Sequence, residues 1–374
     1  MANVNPNLKY LGIEDFGDSY ELTVQDSEGS VVKKQMRKYF KGHGGDLSEE
    51  YRQAILHRNF DFKESRTLVV KMSGGIGDIL VSLETVIALK ERIRSAGGTE
   101  FVWVGSFRRQ TNYGFFSRFL NAFPIFDWMY AIETAQPIRF PIKILTGAST
   151  DIPSAHLSIG SAWDLIFAKW GVPGKYQPAT VGVPGTLAAA LDKETERLQA
   201  STVFPRLSRY ILLAPESNYL GDLKAWPEPS WKSIQGRILD ETPYDILFLG
   251  RGEGLSLAVK SDRVFPHDYE TFPQPNDFLT LLALIWKAAA VVALDSGPAH
   301  AAGFLKVPCI ALFGPTSPMF YGHHSNTNIR LSICPPCSMS ENVKLCTSNI
   351  CMQEIQAADV FSVLSRQLRR NVGD

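Results

Sequence analysis

Surplus charge of either sign is missing from this chain, because 38 Lys and Arg residues face 38 Asp and Glu. With no net field to hold a polyanion, nucleic acid is excluded as the main partner, and a small or locally recognised ligand is expected. Long apolar runs are scarce too. The most apolar stretch, Phe278 to Leu294, contains Lys287 and follows the helix start Asn276-Asp277, so it reads as a buried helix running into a strand and not as a membrane span. Met1 to Tyr10 has neither the basic start nor the apolar core of a signal peptide, so the chain is expected to stay in the cytoplasm, with any membrane contact peripheral. H-E-x-x-H, G-x-S-x-G and G-K-[ST] are all absent, which removes the zinc-protease, nucleophile-elbow and P-loop chemistries.

What is present is apolar material for two cores. At 374 residues the chain exceeds a typical single core. Residues 1–66 read as an extension, with a hairpin signature at Tyr20 to Val24, a turn at Asp26 to Gly29, a strand from Val31, and a short helix at Leu47 to His57. Residues 67–185 open with the strand Thr67 to Met72, the turn Ser73 to Asp78 and a helical pattern from Ile79 to Ile93, the start of a βαβ unit. Phe101 to Val104, Phe126 to Ile132 and His156 to Ile159 are further strand candidates. Pro173 to Pro184 reads as the linker and Leu187 to Leu198 as a helix. Residues 186–374 resume the alternation with strands at Tyr210 to Ala214, Asp245 to Gly250, Ala290 to Leu294 and Cys309 to Phe313, closing on a C-terminal helix. The expected fold class is α/β, with two Rossmann-like halves.

Asp295-Ser296-Gly297-Pro298-Ala299-His300 follows the apolar run Ala290 to Leu294 and precedes a helical stretch. A strand end turning into a helix is where α/β proteins bind phosphate. The helix start offers unpaired N–H groups and positive dipole, Gly297 permits close approach, and Asp295 and Ser296 are polar groups within reach of a sugar hydroxyl. A second strand then leads into Gly314-Pro315-Thr316-Ser317-Pro318. Together with Lys224-Ala225-Trp226-Pro227 and Trp231, this order resembles glycosyltransferase family 9, the heptosyltransferases.

The resemblance implies a GT-B architecture in which two Rossmann-like domains face a cleft. It also implies inverting transfer of a heptose or similar sugar from an ADP-sugar to a glycan of the lipopolysaccharide core, at the cytoplasmic face of the inner membrane. A protein serine or threonine as acceptor, and a non-catalytic nucleotide-sugar binder, remain alternatives; the extension and the cysteines lean toward the former. Asp-x-Asp, the metal-diphosphate signature of the other major glycosyltransferase architecture, is absent, so no catalytic cofactor is expected. Asp78 falls on the family's Gly-Asp position and is the implied general base; helix capping is its plainer role. Gly75 and Gly77 beside it, and Ser217 with Asn218 after the strand Tyr210 to Ala214, are implied donor contacts. Lys224 would stabilise the leaving diphosphate, against the reading of a surface lysine. Glu253 is the implied adenine or ribose partner, against an exposed carboxylate on a tight turn, and His300 either meets the diphosphate or packs on the Asp295 turn. Arg108, Arg109 and Arg118, set among phenylalanines, would meet an anionic acceptor or else form a solvated helix face.

Four of the five cysteines, Cys334, Cys337, Cys346 and Cys351, fall within 18 residues, while Cys309 lies in an expected core strand. A cytoplasmic chain keeps them reduced, and four soft thiolates suit a closed structural zinc or iron site; free or oxidised thiols are the alternative. The resemblance is nearest to a subgroup that heptosylates autotransporters and holds iron in four cysteines. Self-association is a further expectation.

Overall fold

The computed structural model describes residues 9–15, 19–25, 31–37, 67–72, 75–95, 102–107, 110–123, 125, 128–131, 183–200, 209–218, 220–268, 277–338, 343 and 345–371. The chain divides into two compact units, of which the second holds everything from Thr180 onward together with Gly75–Val81.

In the first unit, β1 (Lys9–Asp15), β2 (Ser19–Gln25) and β3 (Val31–Arg37) form an antiparallel sheet in that order. The register sets Val24 opposite Tyr10 and Val32, and Tyr20 opposite Met36. The sequence pointed to a two-stranded hairpin. β1 was hidden because its register shifts between Tyr10 and Gly12, which breaks the alternation.

A second sheet pairs β4 (Thr67–Met72), β5 (Val102–Phe107) and β6 (Trp128–Ala131) in parallel. Helix α1 (Ile76–Ser95) buries Ile79, Leu80, Leu83 and Val86, and α2 (Gln110–Ala122) buries Phe116 and Phe119. Phe119 is core, and Arg118 beside it is half-buried. Helix α1 begins three residues before the expected Ile79, since Gly77, a poor helix former, disguises its first turn. The expected elements at Leu47 to His57 and His156 to Ile159, with Arg108 and Arg109 and all but the last two residues of the linker, lie outside the described residues.

The second unit opens with α3 (Gly185–Gln199). Six strands follow: β7 (Tyr210–Ala214), β8 (Asp245–Gly250), β9 (Val264–Asp268), β10 (Ala290–Leu294), β11 (Cys309–Phe313) and β12 (Thr327–Arg330). All pair in parallel, in the order β12-β11-β10-β7-β8-β9. Residues on β7, β10 and β11 are buried throughout, as continuous apolar runs covered on both faces must be. Helix α4 (Glu228–Glu241) carries Pro229 in its first turn, where a missing N–H matters least. Helix α5 (Phe278–Trp286) is capped by Asp277 accepting from the Thr280 amide, as expected from Asn276-Asp277. It meets α3 through Thr280 Oγ1 donating to buried Glu194 over 2.7 Å. Then come α6 (Gly297–Leu305), the short α7 (Pro318–Tyr321) and α8 (Ile350–Gln353), and α9 (Ala357–Asn371), whose Phe361 ring lies 4.4 Å below the Arg237 guanidinium of α4.

This strand order is that of a Rossmann sheet. Its direction of winding reverses between β7 and β10, and in open α/β sheets ligands bind beyond the carboxyl ends of the strands at that reversal.

Candidate functional site

Asp295 stands directly beyond β10, and Ser217 three residues beyond β7, so the two adjacent strands at the reversal carry their polar residues to one end of the sheet. Ser217 Oγ donates to the Asp295 carbonyl over 3.3 Å. Lys224 comes from the 3-10 turn Gly221–Lys224 that follows β7. Its ammonium donates to the Asp295 carboxylate at 2.7 Å and to the Asp295 carbonyl at 2.9 Å. Both side chains are almost fully buried, 6% and 5% exposed, which overturns the surface-lysine reading. Read separately along the chain, Lys224 and Asp295 have distinct ligand roles; folding makes them one ion pair.

Burial by itself would push the Asp295 carboxyl up. His300 and then Lys224 outweigh it and hold the group below the ordinary carboxylate range, so Asp295 is charged at neutral pH. His300 Nε2 lies 3.6 Å from Asp295 Oδ1, an electrostatic contact at a distance too long for a hydrogen bond. His300 Nδ1 is buried and has no hydrogen-bond partner among the described residues. Ser296 is the N-cap residue of α6, yet its hydroxyl turns away to donate to the Leu294 carbonyl at 3.1 Å and caps nothing. Among the described residues the first turn of α6, with the Gly297 and Ala299 N–H groups, therefore has no side-chain cap.

The first turn of α1, which falls in the second unit, lies against His300: a Cβ added at Gly77 would sit 2.4 Å from the His300 ring. Gly77 is thus required by close packing, a reason the sequence did not supply. Gly75 is exposed just ahead of the helix. Asp78 occupies the third helical position, inside the helix and not at its cap; its side chain lies outside the described residues.

At the end of β8, Arg251 reaches Glu216 at 3.3 Å and donates to Asn218 Oδ1. Asn218 is accordingly oriented by a guanidinium from the neighbouring strand. Sequence reading missed Glu216 and Arg251, although both lie within two residues of the ends of parallel strands and so had to share the ligand-binding end of the sheet. Glu253 lies in the 3-10 turn Gly252–Leu257, its side chain outside the described residues.

Cys334, Cys337 and Cys346 are half-buried and Cys351 is buried; all are free thiols. Burial, then Cys334 next to it, pushes Cys351 up to about 11, and Cys337 is raised by burial and then by Cys346 and Cys334. The four sulfurs therefore share one neighbourhood. Among the described residues, however, no three His, Cys, Asp or Glu side chains are arranged to hold a metal ion. The donor set has the softness for zinc or iron, and the present arrangement is not closed around a centre. Arg330 ties this segment to the sheet by donating to the carbonyls of Gly314, Leu331 and Cys334.

Residues 148–350, more than half of the chain, match glycosyltransferase family 9 (heptosyltransferase). A curated relative, lipopolysaccharide heptosyltransferase 1 of Pseudomonas aeruginosa, is 28% identical over 121 residues, and the match spans 31% of this chain and 32% of that protein. The solved structure of the ADP-heptose lipopolysaccharide heptosyltransferase II of E. coli superposes with a TM-score of 0.58 at 16% identity, covering 81% of this chain and 98% of that one. A family 9 glycosyltransferase from Veillonella parvula gives 0.55 at 12% identity, covering 81% and 97%. The likeness places the fold in the mixed α/β GT-B class expected from the sequence. With the matched segment carrying β7 to β12 and the Lys224–Asp295 pair, the chain belongs to glycosyltransferase family 9, the heptosyltransferases.

Proposed function

We propose that the protein transfers a heptose or a closely similar sugar from an ADP-activated donor to an acceptor hydroxyl, by a single displacement that inverts the anomeric carbon. The observation that carries this reading is the buried Lys224–Asp295 pair at the reversal of the sheet, beside an α6 N-terminus whose own cap residue leaves its N–H groups uncovered. Cation and helix start together match a diphosphate, and both stabilise the negative charge that grows on it as the glycosidic bond breaks. Ser217, Asn218, Ser296, Gly297 and His300 line the same end of the sheet and supply the remaining donor contacts, with Glu253 and Gly75 at its edge. The acceptor hydroxyl loses its proton to Asp78 as its oxygen attacks, and the departing ADP carries the electron pair of the broken bond.

The acceptor is a glycan of the lipopolysaccharide-core type, and the enzyme works in the cytoplasm against the inner face of the membrane. Among the described residues no helix is long and apolar enough to cross a membrane, so such contact would be peripheral. Mass spectrometry after incubation with ADP-heptose tests the assignment. Mass added to a core oligosaccharide supports it; mass added to serine or threonine of a polypeptide moves the acceptor to protein; no transfer to either, with ADP still bound, leaves a nucleotide-sugar binder. Sedimentation of the same preparation reports self-association.

Because Lys224 and the α6 N-terminus face the diphosphate, no divalent ion is required for the leaving group, and added magnesium or manganese leaves the rate unchanged. A strict requirement for either would contradict the mechanism.

Cys334, Cys337, Cys346 and Cys351 are proposed to take one structural zinc or iron, since a four-thiolate site adds folding energy while keeping no open position for chemistry. Elemental analysis of protein purified without chelator should give about one metal per chain on that stoichiometry. The double replacement Cys334→Ser and Cys337→Ser then loses the metal and lowers the melting temperature. Metal-free protein with four titratable thiols and the same melting temperature as the double variant would leave the segment a reduced loop.

A further inference from the structure

The turn that presents Lys224 is held from outside by one side chain. It begins with two left-handed residues, Leu220 at φ 64° and Gly221 at φ 40°, a conformation that side chains other than glycine's disfavour. Within the turn, the Leu223 amide donates to Leu220 and the Ala225 amide to Asp222, which leaves the second lone pair of the Asp222 carbonyl and the Ala225 carbonyl, on the two sides of Lys224, to be secured. Asn349 secures them. Its Nδ2 donates to the Asp222 carbonyl at 2.9 Å and to the Ala225 carbonyl at 3.0 Å, using both N–H bonds of one planar amide.

Asn349 is itself placed for this. Its φ of 29° and ψ of 39° lie in the left-handed region that asparagine tolerates better than most residues, and its Oδ1 accepts from Gln353 at 3.1 Å. Its carbonyl starts α8 by accepting from Met352. One turn further on, buried Trp226 Nε1 donates to the Ile355 carbonyl at 2.9 Å, a second stitch between the same two segments. Asn349 lies three residues after Cys346 and two before Cys351, so the segment that carries the thiols also grips the Lys224 turn.

We infer that Asn349 is a positioning residue for Lys224: it fixes the turn from which the ammonium reaches Asp295 and the donor diphosphate. The inference rests on the proposed role of Lys224 in donor binding. Strain at both ends of the contact, in a segment with no regular long element, is what a position held for function requires.

The test is a double-mutant cycle read by calorimetric titration with ADP, supported by melting temperatures. Asn349→Gly keeps the left-handed backbone and removes the amide; Asn349→Asp keeps the side-chain shape and removes both N–H groups. Each should weaken ADP binding by about 5-fold, in the range found for coupled neighbours. Lys224→Met should weaken it more, and in that background Asn349→Gly should add almost nothing. A purely structural asparagine would not show this dependence on Lys224. An Asn349→Gly protein that melts lower but binds ADP as tightly as the parent overturns the inference, as does an equal loss with and without Lys224. If Lys224→Met binds ADP normally, the donor-site reading falls and the inference falls with it, whereas a weakened Lys224→Met with an unaffected Asn349→Gly overturns the inference alone.

Discussion

Asp78→Asn lowers the transfer rate by about 10²-fold or more, the usual consequence of removing a general base. The amide keeps the shape of the side chain and its place in the first turn of α1, so the fold and ADP affinity stay as they were. Single-turnover transfer measured beside an ADP titration separates the two quantities. Turnover close to that of the parent would remove Asp78 from the chemistry.

Lys224→Ala weakens ADP binding and also destabilises the second unit, because it strands the Asp295 carboxylate in a buried site. Losing one partner of a buried pair costs about 3–5 kcal/mol. The double variant Lys224→Ala with Asp295→Ala recovers much of that stability, since no unpaired charge remains, and does not recover ADP affinity. Thermal melts and calorimetry on the three variants distinguish a ligand-binding pair from a merely structural one. Unchanged affinity in all of them would move the donor site elsewhere. Acid gives an independent check. The Asp295 carboxyl is held below its unfolded value, so its contribution is complete above about pH 4 and disappears as the pH falls further through the folded value.

The central strands were legible because burial on both faces leaves continuous apolar runs: Tyr210–Ala214, Asp245–Gly250, Ala290–Leu294 and Cys309–Phe313 occupy the expected residues. The edge strands were not. β9 contains Pro266, tolerated at an edge, and β12 reads Thr-Asn-Ile-Arg with three of its four positions polar and none of them fully buried. The site shows the same division. Asp295, Ser217 and Lys224 could be singled out one at a time from their places after strands, but an ion pair 71 residues apart in sequence needs the strand order to be known. The Asn349 clamp, 127 residues from Asp222, left no local trace at all.

Parallel pairing of β7 with β10 has a bearing on how the chain matures. These neighbours in space are separated along the chain by α4, β8, β9 and α5, and such non-local pairings form slowly because loop closure precedes any gain from contact. Until that zipper closes, Lys224 has no Asp295, and the proposed donor site lacks its ion pair. On the proposed reading, nucleotide binds molecules that have completed the six-stranded sheet. By mass action it draws the population toward them, by about 2.7 kcal/mol at a hundredfold excess over its dissociation constant.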